Sequence, residues 1–283
     1  MTDRDLLRLR RGAHEFLRRH AARAWAHENE HGRWEITLPP DVAALPRHKR
    51  FKKHARQEAR RLATAQLFDL DAKITARAVR LGATIGQEQH GDASALTGHD
   101  HRSAVLPGIQ PPAVSGFLRW QDGIGYNGLG APVLACHWGP ALGESARWLA
   151  WWADGDAMTT AYTAQAQAAG QRIDAGSMTQ IFGPLWYDHQ IMQLRPHASS
   201  IRFASGNPAP ELLTRAAGES AAEAGTPGRV LLATTLATWR LLTRPDAGVH
   251  LSQQPMPADE QDADRAAGLP TRSVIVATAA GTT

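Results

Sequence analysis

Cysteine and long apolar runs are what this chain has least of. Its 283 residues include one cysteine, Cys136, which excludes an intramolecular disulfide and is typical of a reducing compartment. No stretch reaches the roughly 18 apolar residues of a membrane-spanning helix, and the basic N-terminus lacks the apolar segment of a signal peptide. We therefore predict a cytoplasmic protein without a membrane partner.

Lysine is also scarce, with four lysines against 27 arginines. An arginine excess of this kind is typical of a high-GC coding sequence, so arginine content alone says little about nucleic-acid binding. The distribution of charge is more informative. Residues 1–90 carry 19 Lys and Arg against 11 Asp and Glu, a net +8, whereas residues 91–283 carry 12 against 16, a net −4. This split predicts an N-terminal part that either binds a polyanion or packs on the acidic remainder.

The densest run of charge lies on a predicted helix over residues 47–63, which holds three of the four lysines. Eight cations and one acid, Glu58, give residues 47–61 a net +7, and Phe51 is a possible stacking or packing group. Such a helix can neutralise several phosphates and gain affinity from counterion release. The alternative is a solubilising face, or one paired with the acidic part of the chain. The predicted nucleic-acid-binding residues are Arg47, Lys49, Arg50, Lys52, Lys53, Arg56, Arg60 and Arg61.

The segment from His27 to His31 matches the H-E-x-x-H pattern of zinc hydrolases. On a helix, His27 and His31 share one face and can bind one zinc ion, while Glu28 activates a zinc-bound water. Against this, the motif falls at the predicted end of a helix, its neighbours are polar, and no third ligand is evident. The alternative is a solvated helix end.

A polar loop over residues 86–112 holds further side chains that can bind metals. Their spacing alone fixes no coordination geometry, so the alternative is a flexible polar loop. These side chains are His90, Asp92, His99, Asp100 and His101.

Residues 116–157 form the predicted structural centre, because five of the nine tryptophans lie there. Three apolar runs separated by glycine, proline and other turn residues predict an antiparallel meander over residues 116–154. Strand alternation in the second run places Val133 and His137 on one face and Cys136 on the other. Cys136 and His137 therefore cannot form a catalytic pair with each other.

Four segments carry a resemblance to other proteins: P-V-L-A-C-H-W-G-P, W-L-A-W-W-A-D, L-L-A-T-T-L-A-T-W-R-L-L-T-R-P and R-S-V-I-V. Over roughly residues 64–278 the chain resembles an uncharacterised actinobacterial protein family whose genes occur in mobile-element or plasmid-like contexts. The resembling family has no known activity that could be transferred to this chain, and the four segments contain no diagnostic catalytic signature. Related chains continue past the last strand into a basic, aromatic segment, so we expect any function housed there to be missing here.

These patterns together predict an α+β fold. Helices fill the N-terminal third, and a mainly antiparallel, tryptophan-rich sheet combines the meander with a C-terminal strand, covered by helices near 155–169 and 229–243. Residues 65–70 predict a further strand, and Asp71 the N-cap of a helix that ends at Gly82. The predicted organisation is a basic helical region (1–63), an α+β core (64–204), a linker (205–228) and a C-terminal part (229–283) with a mobile polar stretch over 252–270.

The function predicted from the sequence is that of a non-enzymatic, nucleic-acid-associated protein of mobile-element type. It would bind DNA or RNA through the basic helix and need no cofactor. The alternative is a zinc-dependent metallohydrolase that uses His27, Glu28 and His31. A protein–protein interaction module is the third possibility.

Overall fold

The computed structural model describes residues 3–30, 42, 44–88, 109–126, 131–141, 146–168, 170, 185–193, 202–204 and 227–280. Eight strands in this part of the chain form one sheet, in the order β6-β5-β4-β3-β2-β1-β8-β7. The strands are β1 (Gln66–Leu70), β2 (Gly116–Trp120), β3 (Val133–Ala141), β4 (Ala146–Asp154), β5 (Leu185–Gln193), β6 (Arg202–Ala204), β7 (Val249–Gln254) and β8 (Val274–Ala279).

Seven α-helices accompany the strands within the same residues. A π-helical turn, Phe16–His20, joins the first two, and a 3-10 turn, Pro245–Ala247, follows the sixth. The helices are α1 (Asp3–Glu15), α2 (Ala21–Glu30), α3 (Arg47–Thr64), α4 (Ala72–Glu88), α5 (Gly155–Ala168), α6 (Pro227–Thr243) and α7 (Ala258–Ala266). The predicted α+β class is confirmed. None of the described helices is long and apolar enough to cross a membrane.

The sheet is mainly antiparallel, as predicted. Strands β2 to β6 form a continuous antiparallel series, and β7 pairs antiparallel with β8. Strand β1 is the exception, because it lies between β2 and β8 and runs parallel to both. Helix α4 lies between β1 and β2 in the chain and so belongs to a βαβ crossover. The predicted C-terminal strand therefore joins the meander through β1.

The sheet is covered by helices on both faces. Helices α1, α2 and α3 pack on one face, called here the N-terminal face, together with Trp148 and Trp152. Helices α4 and α6 pack on the other, the α4–α6 face, together with Trp151. Because successive residues of a strand point to opposite faces, the three tryptophans of β4 divide between the two cores.

A bulge in β3 alters the predicted alternation. The pairing register with β4 shifts between Val133 and Ala135. As a result Val133 packs on the α4–α6 face with Cys136, and the prediction that it shares the face of His137 is wrong. One extra residue in a strand reverses the alternation beyond it. The predicted separation of Cys136 from His137 is confirmed, since Cys136 belongs to the α4–α6 core and His137 contacts Glu58 of α3.

Helix α4 begins where the sequence predicts and ends later. Asp71 Oδ1 accepts a hydrogen bond from the backbone N–H of Ile74 at 2.7 Å, so the predicted N-cap is confirmed. The predicted end at Gly82 is wrong, because the helix continues to Glu88. A Cβ atom at Gly82 would lie 2.7 Å from the Cα atom of Thr234 in α6, so this glycine permits close helix packing.

The polar stretch 252–270 is the third difference from the sequence prediction. It contains the end of β7 and helix α7, which packs against α1. Arg10 Nη1 donates to Asp264 Oδ2 at 2.6 Å, and both side chains are fully buried. Arg11 Nη1 donates to Glu260 Oε2 at 2.6 Å and to Asp264 Oδ1 at 3.0 Å. The acidic residues that suggested a mobile tail are the partners of Arg10, which is fully buried, and of Arg11, which is half-buried.

Candidate nucleic-acid interface

Helix α3 has one face in the core and one in solvent. Its apolar residues recur at spacings of three and four, which places them on one side of a helix. These residues are Phe51, Ala55, Ala59 and Leu62, and all belong to the core on the N-terminal face of the sheet. Phe51 therefore has a packing role and does not offer an exposed ring for stacking.

The solvent face of α3 carries four exposed cations, called here the α3 stripe: Lys49, Lys52, Arg56 and Arg60. At 100° per residue their positions fall within an arc of about 80°, and the stripe is about 17 Å long. None of the four forms an ion pair with any residue that the structure describes. The stripe is therefore a line of positive charge directed at solvent.

The other predicted binding residues lie differently. Arg50 and Lys53 are half-buried and flank the stripe. Arg61 is turned inward and donates a hydrogen bond to Glu58 Oε1. Helix α3 begins at Arg47, but the side chain of this residue is outside the described part. The structure thus brings four of the eight predicted residues to one exposed line.

A buried hydrogen-bonded chain fixes α3 to the sheet. Glu58 Oε2 lies 3.2 Å from Nε2 of His137 on β3, and Trp152 Nε1 donates to His137 Nδ1 at 3.1 Å. Glu58, His137 and Trp152 are all fully buried. Because an indole N–H can only donate, Nδ1 of His137 must accept, and the ring proton is on Nε2, where it is donated to Glu58.

The charge of Glu58 is used inside the protein. Burial by itself would raise the pKa of Glu58, but the hydrogen bond with His137 and the nearby His54 and Arg61 outweigh burial and lower the pKa below its ordinary value. Glu58 is therefore a carboxylate at neutral pH. Since this carboxylate faces His137 and Arg61, the only acid of α3 does not offset the exposed stripe.

His54 reinforces the same attachment. Its ring lies between two tryptophans, with centroid distances of 5.0 Å to Trp25 on α2 and 4.5 Å to Trp148 on β4. The contact with Trp148 is edge-to-face, with an interplanar angle of 78°. Helix α3 is thus held both to its neighbouring helix and to the sheet, so that the stripe has a fixed orientation.

A second buried ion pair lies on the N-terminal face and was not predicted. Arg119 on β2 donates from Nε to Asp69 Oδ1 at 2.6 Å and from Nη2 to Asp69 Oδ2 at 3.1 Å. The two residues are direct partners in the parallel pairing of β1 and β2. A sequence signal exists, because each is the single charged residue of a five-residue apolar strand and stands fourth in it.

The acidic part of the chain neutralises a different set of cations. Arg4, Arg10 and Arg11 of α1 form ion pairs with Asp259, Asp264 and Glu260 of α7. The alternative that N-terminal cations pack on the acidic remainder is therefore realised by α1. It does not account for the stripe on α3.

The zinc hypothesis stays a prediction. His27 and Glu28 lie in the last turns of α2, but their side chains are outside the described part, and so is the whole of His31. The loop histidines His90, His99 and His101 also lie outside it. Among the described residues, no group of three or more His, Cys, Asp or Glu side chains could hold a metal ion.

Comparison with known proteins adds no independent support for a family or a function, so the predicted actinobacterial relationship stays a prediction. No protein-family model, curated protein or solved structure matches this chain.

Proposed function

We propose that this protein binds nucleic acid through the α3 stripe, as a non-enzymatic protein that contacts the phosphate backbone. The observation that carries the proposal is the line of four exposed cations without ion-pair partners among the described residues. Four like charges aligned on one helix face repel one another, and a polyanion relieves that repulsion.

The dimensions of the stripe suit a phosphate backbone. A length of about 17 Å corresponds to about five phosphates of one strand, at 3.4 Å of duplex axis per phosphate. Lysine and arginine contacts to phosphates carry no sequence information, so we expect binding to be independent of sequence. Four such contacts predict a slope of about −3.6 for log K against log salt concentration on duplex DNA.

A duplex fits α3 better than a single strand does. Proteins that hold single strands combine cations with exposed aromatic rings on which bases stack. Phe51 is the only Phe, Tyr or Trp in α3, and it is buried. We therefore propose a duplex as the ligand, in keeping with the plasmid-like gene context that the sequence resemblance implies.

The test is the salt dependence of binding to a fluorescent 20-base-pair duplex, measured by anisotropy. In the triple variant K52Q/R56Q/R60Q only Lys49 of the stripe remains. The slope should then become shallower, from about −3.6 to about −0.9, because each lost phosphate contact lowers its magnitude by about 0.9.

A matched control, K73Q/R80Q/R244Q, removes three exposed cations elsewhere in the protein. Lys73 and Arg80 lie on α4, and Arg244 directly follows α6. This control keeps the same net charge as the triple variant and should retain the slope of the unchanged protein. Equal losses in both variants would show that overall charge, and not the stripe, controls binding. Absence of duplex binding by the unchanged protein at 50 mM salt would also contradict the proposal.

A further inference from the structure

Strand β7 ends the described sheet as an exposed edge that lacks the usual protection. Natural edge strands are short, charged, bulged or interrupted by proline, because an open edge pairs with other strands. The sequence of β7, V-H-L-S-Q-Q, contains no Asp, Glu, Lys, Arg or Pro, and its six residues pair with β8 without a bulge. At the opposite edge, β6 is only three residues long and begins with Arg202.

The backbone pattern shows which groups of β7 face outward. The N–H of Ala280 donates to the carbonyl of Gly248 at 3.0 Å, just before the pair of Val249 and Ala279. Hydrogen-bonded and non-hydrogen-bonded pairs alternate along an antiparallel ladder. The backbone N–H and C=O groups of Val249, Leu251 and Gln253 therefore point away from β8.

Two contacts on the far side of β8 agree with this assignment. The carbonyl of Ala277 accepts a hydrogen bond from the N–H of Asp71 at 3.1 Å, and the N–H of Ala279 donates to Asp71 Oδ2 at 3.3 Å. Ala277 and Ala279 are the partners of Leu251 and Val249. Their backbone groups turn away from β7, as expected for pairs that do not bond to each other.

Leu251 is the middle of these three outward residues, and 43% of it is exposed. In the described part of the chain the exposed large apolar residues are Val114, Tyr126 and Leu251. The strand thus combines six outward backbone groups, which bond to none of the described residues, with an exposed leucine at its centre.

We infer that β7 pairs with β7 of a second copy of this chain, antiparallel about a two-fold axis at Leu251. This register sets Leu251 opposite Leu251 of the other copy and Val249 opposite Gln253. Three pairs with two bonds each would then satisfy all the outward groups. A second copy is the occupant that fits, because the edge offers no charge for a charged partner and the two-fold register sets the exposed apolar Leu251 against Leu251 of the other copy.

The pairing has a geometric consequence for the proposed function. The two-fold axis of an antiparallel strand pair is perpendicular to the sheet, so the two N-terminal faces lie on the same side of the joined sheet. Two α3 stripes would face the same side and could engage one duplex together. This consequence rests on the proposed function, whereas the pairing itself does not.

The first test measures molecular mass by sedimentation equilibrium. A dimer of the 30.7 kDa chain has a mass of about 61 kDa, twice the chain mass. The unchanged protein should sediment as a dimer at 50 µM, and Leu251→Lys should give 30.7 kDa, because it places two like charges opposite each other. Val114→Lys, at another exposed apolar residue, should remain a dimer.

The second test is disulfide cross-linking. It introduces no charge at the strand edge and depends only on the two copies being folded and paired. Residues opposite each other in a hydrogen-bonded antiparallel pair have Cα atoms about 5.5 Å apart, which suits a disulfide. Leu251→Cys should form a covalent dimer under mild oxidation. His250→Cys should not, because residue 250 faces residue 252 of the other copy. Cys136 is fully buried and gives little background.

A monomeric unchanged protein, a dimeric Leu251→Lys variant, or equal cross-linking of the two cysteine variants would each overturn the pairing. If Leu251→Lys does not fold, cross-linking decides. Neither test uses nucleic acid, and K52Q/R56Q/R60Q should remain a dimer. Failure of duplex binding and failure of β7 pairing are therefore distinguishable.

Discussion

The pair of Arg10 and Asp264 shows how a buried charge can fix an arrangement without adding much stability. Burial lowers the pKa of Arg10 and raises that of Asp264, so for both groups burial outweighs their mutual attraction. Arg10 also donates from Nη2 to the carbonyls of Ala63 and Pro270, at 3.0 and 3.2 Å. The pair therefore specifies how α1, the end of α3 and the residues after α7 meet.

Removing one partner of this pair should lower the free energy of unfolding far more than removing both partners. Asp264→Leu leaves Arg10 buried without a carboxylate and should lower the free energy of unfolding by about 3–5 kcal/mol. Adding Arg10→Met should recover most of that loss. Urea denaturation measures both effects. Asp259→Ala, which breaks the exposed pair with Arg4, is the control and should cost at most about 1 kcal/mol. An Asp264→Leu cost no greater than the control would contradict this view of the pair.

His14 of α1 makes stability depend on pH. Burial lowers its pKa to about 4, and the charges of Arg18 and Arg10 act in the same direction. An unfolded histidine takes up its proton near pH 6.5. Between these values the unfolded state binds more protons, so this contribution to stability is full above pH 6.5 and is lost as the pH falls towards 4.

The expected loss from this histidine between pH 7 and pH 5 is about 2 kcal/mol of unfolding free energy. His14→Gln should remove that part of the pH dependence, as measured by urea denaturation at the two pH values. Identical pH profiles for His14→Gln and the unchanged protein would refute the assignment.

At the scale of the elements, a substitution of Gly82 tests whether α4 and α6 depend on close packing at this position. Replacing a glycine inside an exposed helix by alanine normally stabilises it by about 1 kcal/mol. At Gly82 the new Cβ would meet the backbone of Thr234 at 2.7 Å, so the two helices must separate. Gly82→Ala should therefore destabilise by about 1–3 kcal/mol. Thermal unfolding measures this, and Thr84→Ala on the exposed side of α4 is the control.

The sequence predicts well the starts of helices that are marked by a neighbouring capping residue. Asp71 caps α4 as expected, and Asp154 Oδ1 accepts from the N–H of Ala157 at 2.8 Å where a helix was predicted to begin. The end of α4 was missed because a glycine that ends a helix and a glycine that admits a neighbouring helix look alike in sequence. Helix α7 was missed because its buried acids have their partners about 250 residues away, on α1.

At the scale of the whole molecule, the sequence located the basic helix but not its orientation. The run 47–61 gives the number of cations, whereas the side of α3 that faces solvent depends on its packing against β3 and β4. The partner of Glu58, His137, lies 79 residues away. Which of the eight cations form the stripe could therefore be known only after the N-terminal face was assembled.

The position of β1 also sets the order in which the molecule can be completed during synthesis. Strand β1 requires β8 as a neighbour, and about 200 residues separate the end of β1 from the start of β8. A ribosome adds about 5–20 residues per second, so the edge of β1 that pairs with β8 remains unpaired for about 10–40 s after β1 is synthesised. Through that interval the emerging chain carries an open strand edge beside a tryptophan-rich core, and such an edge can pair with strands of other chains until β8 is released.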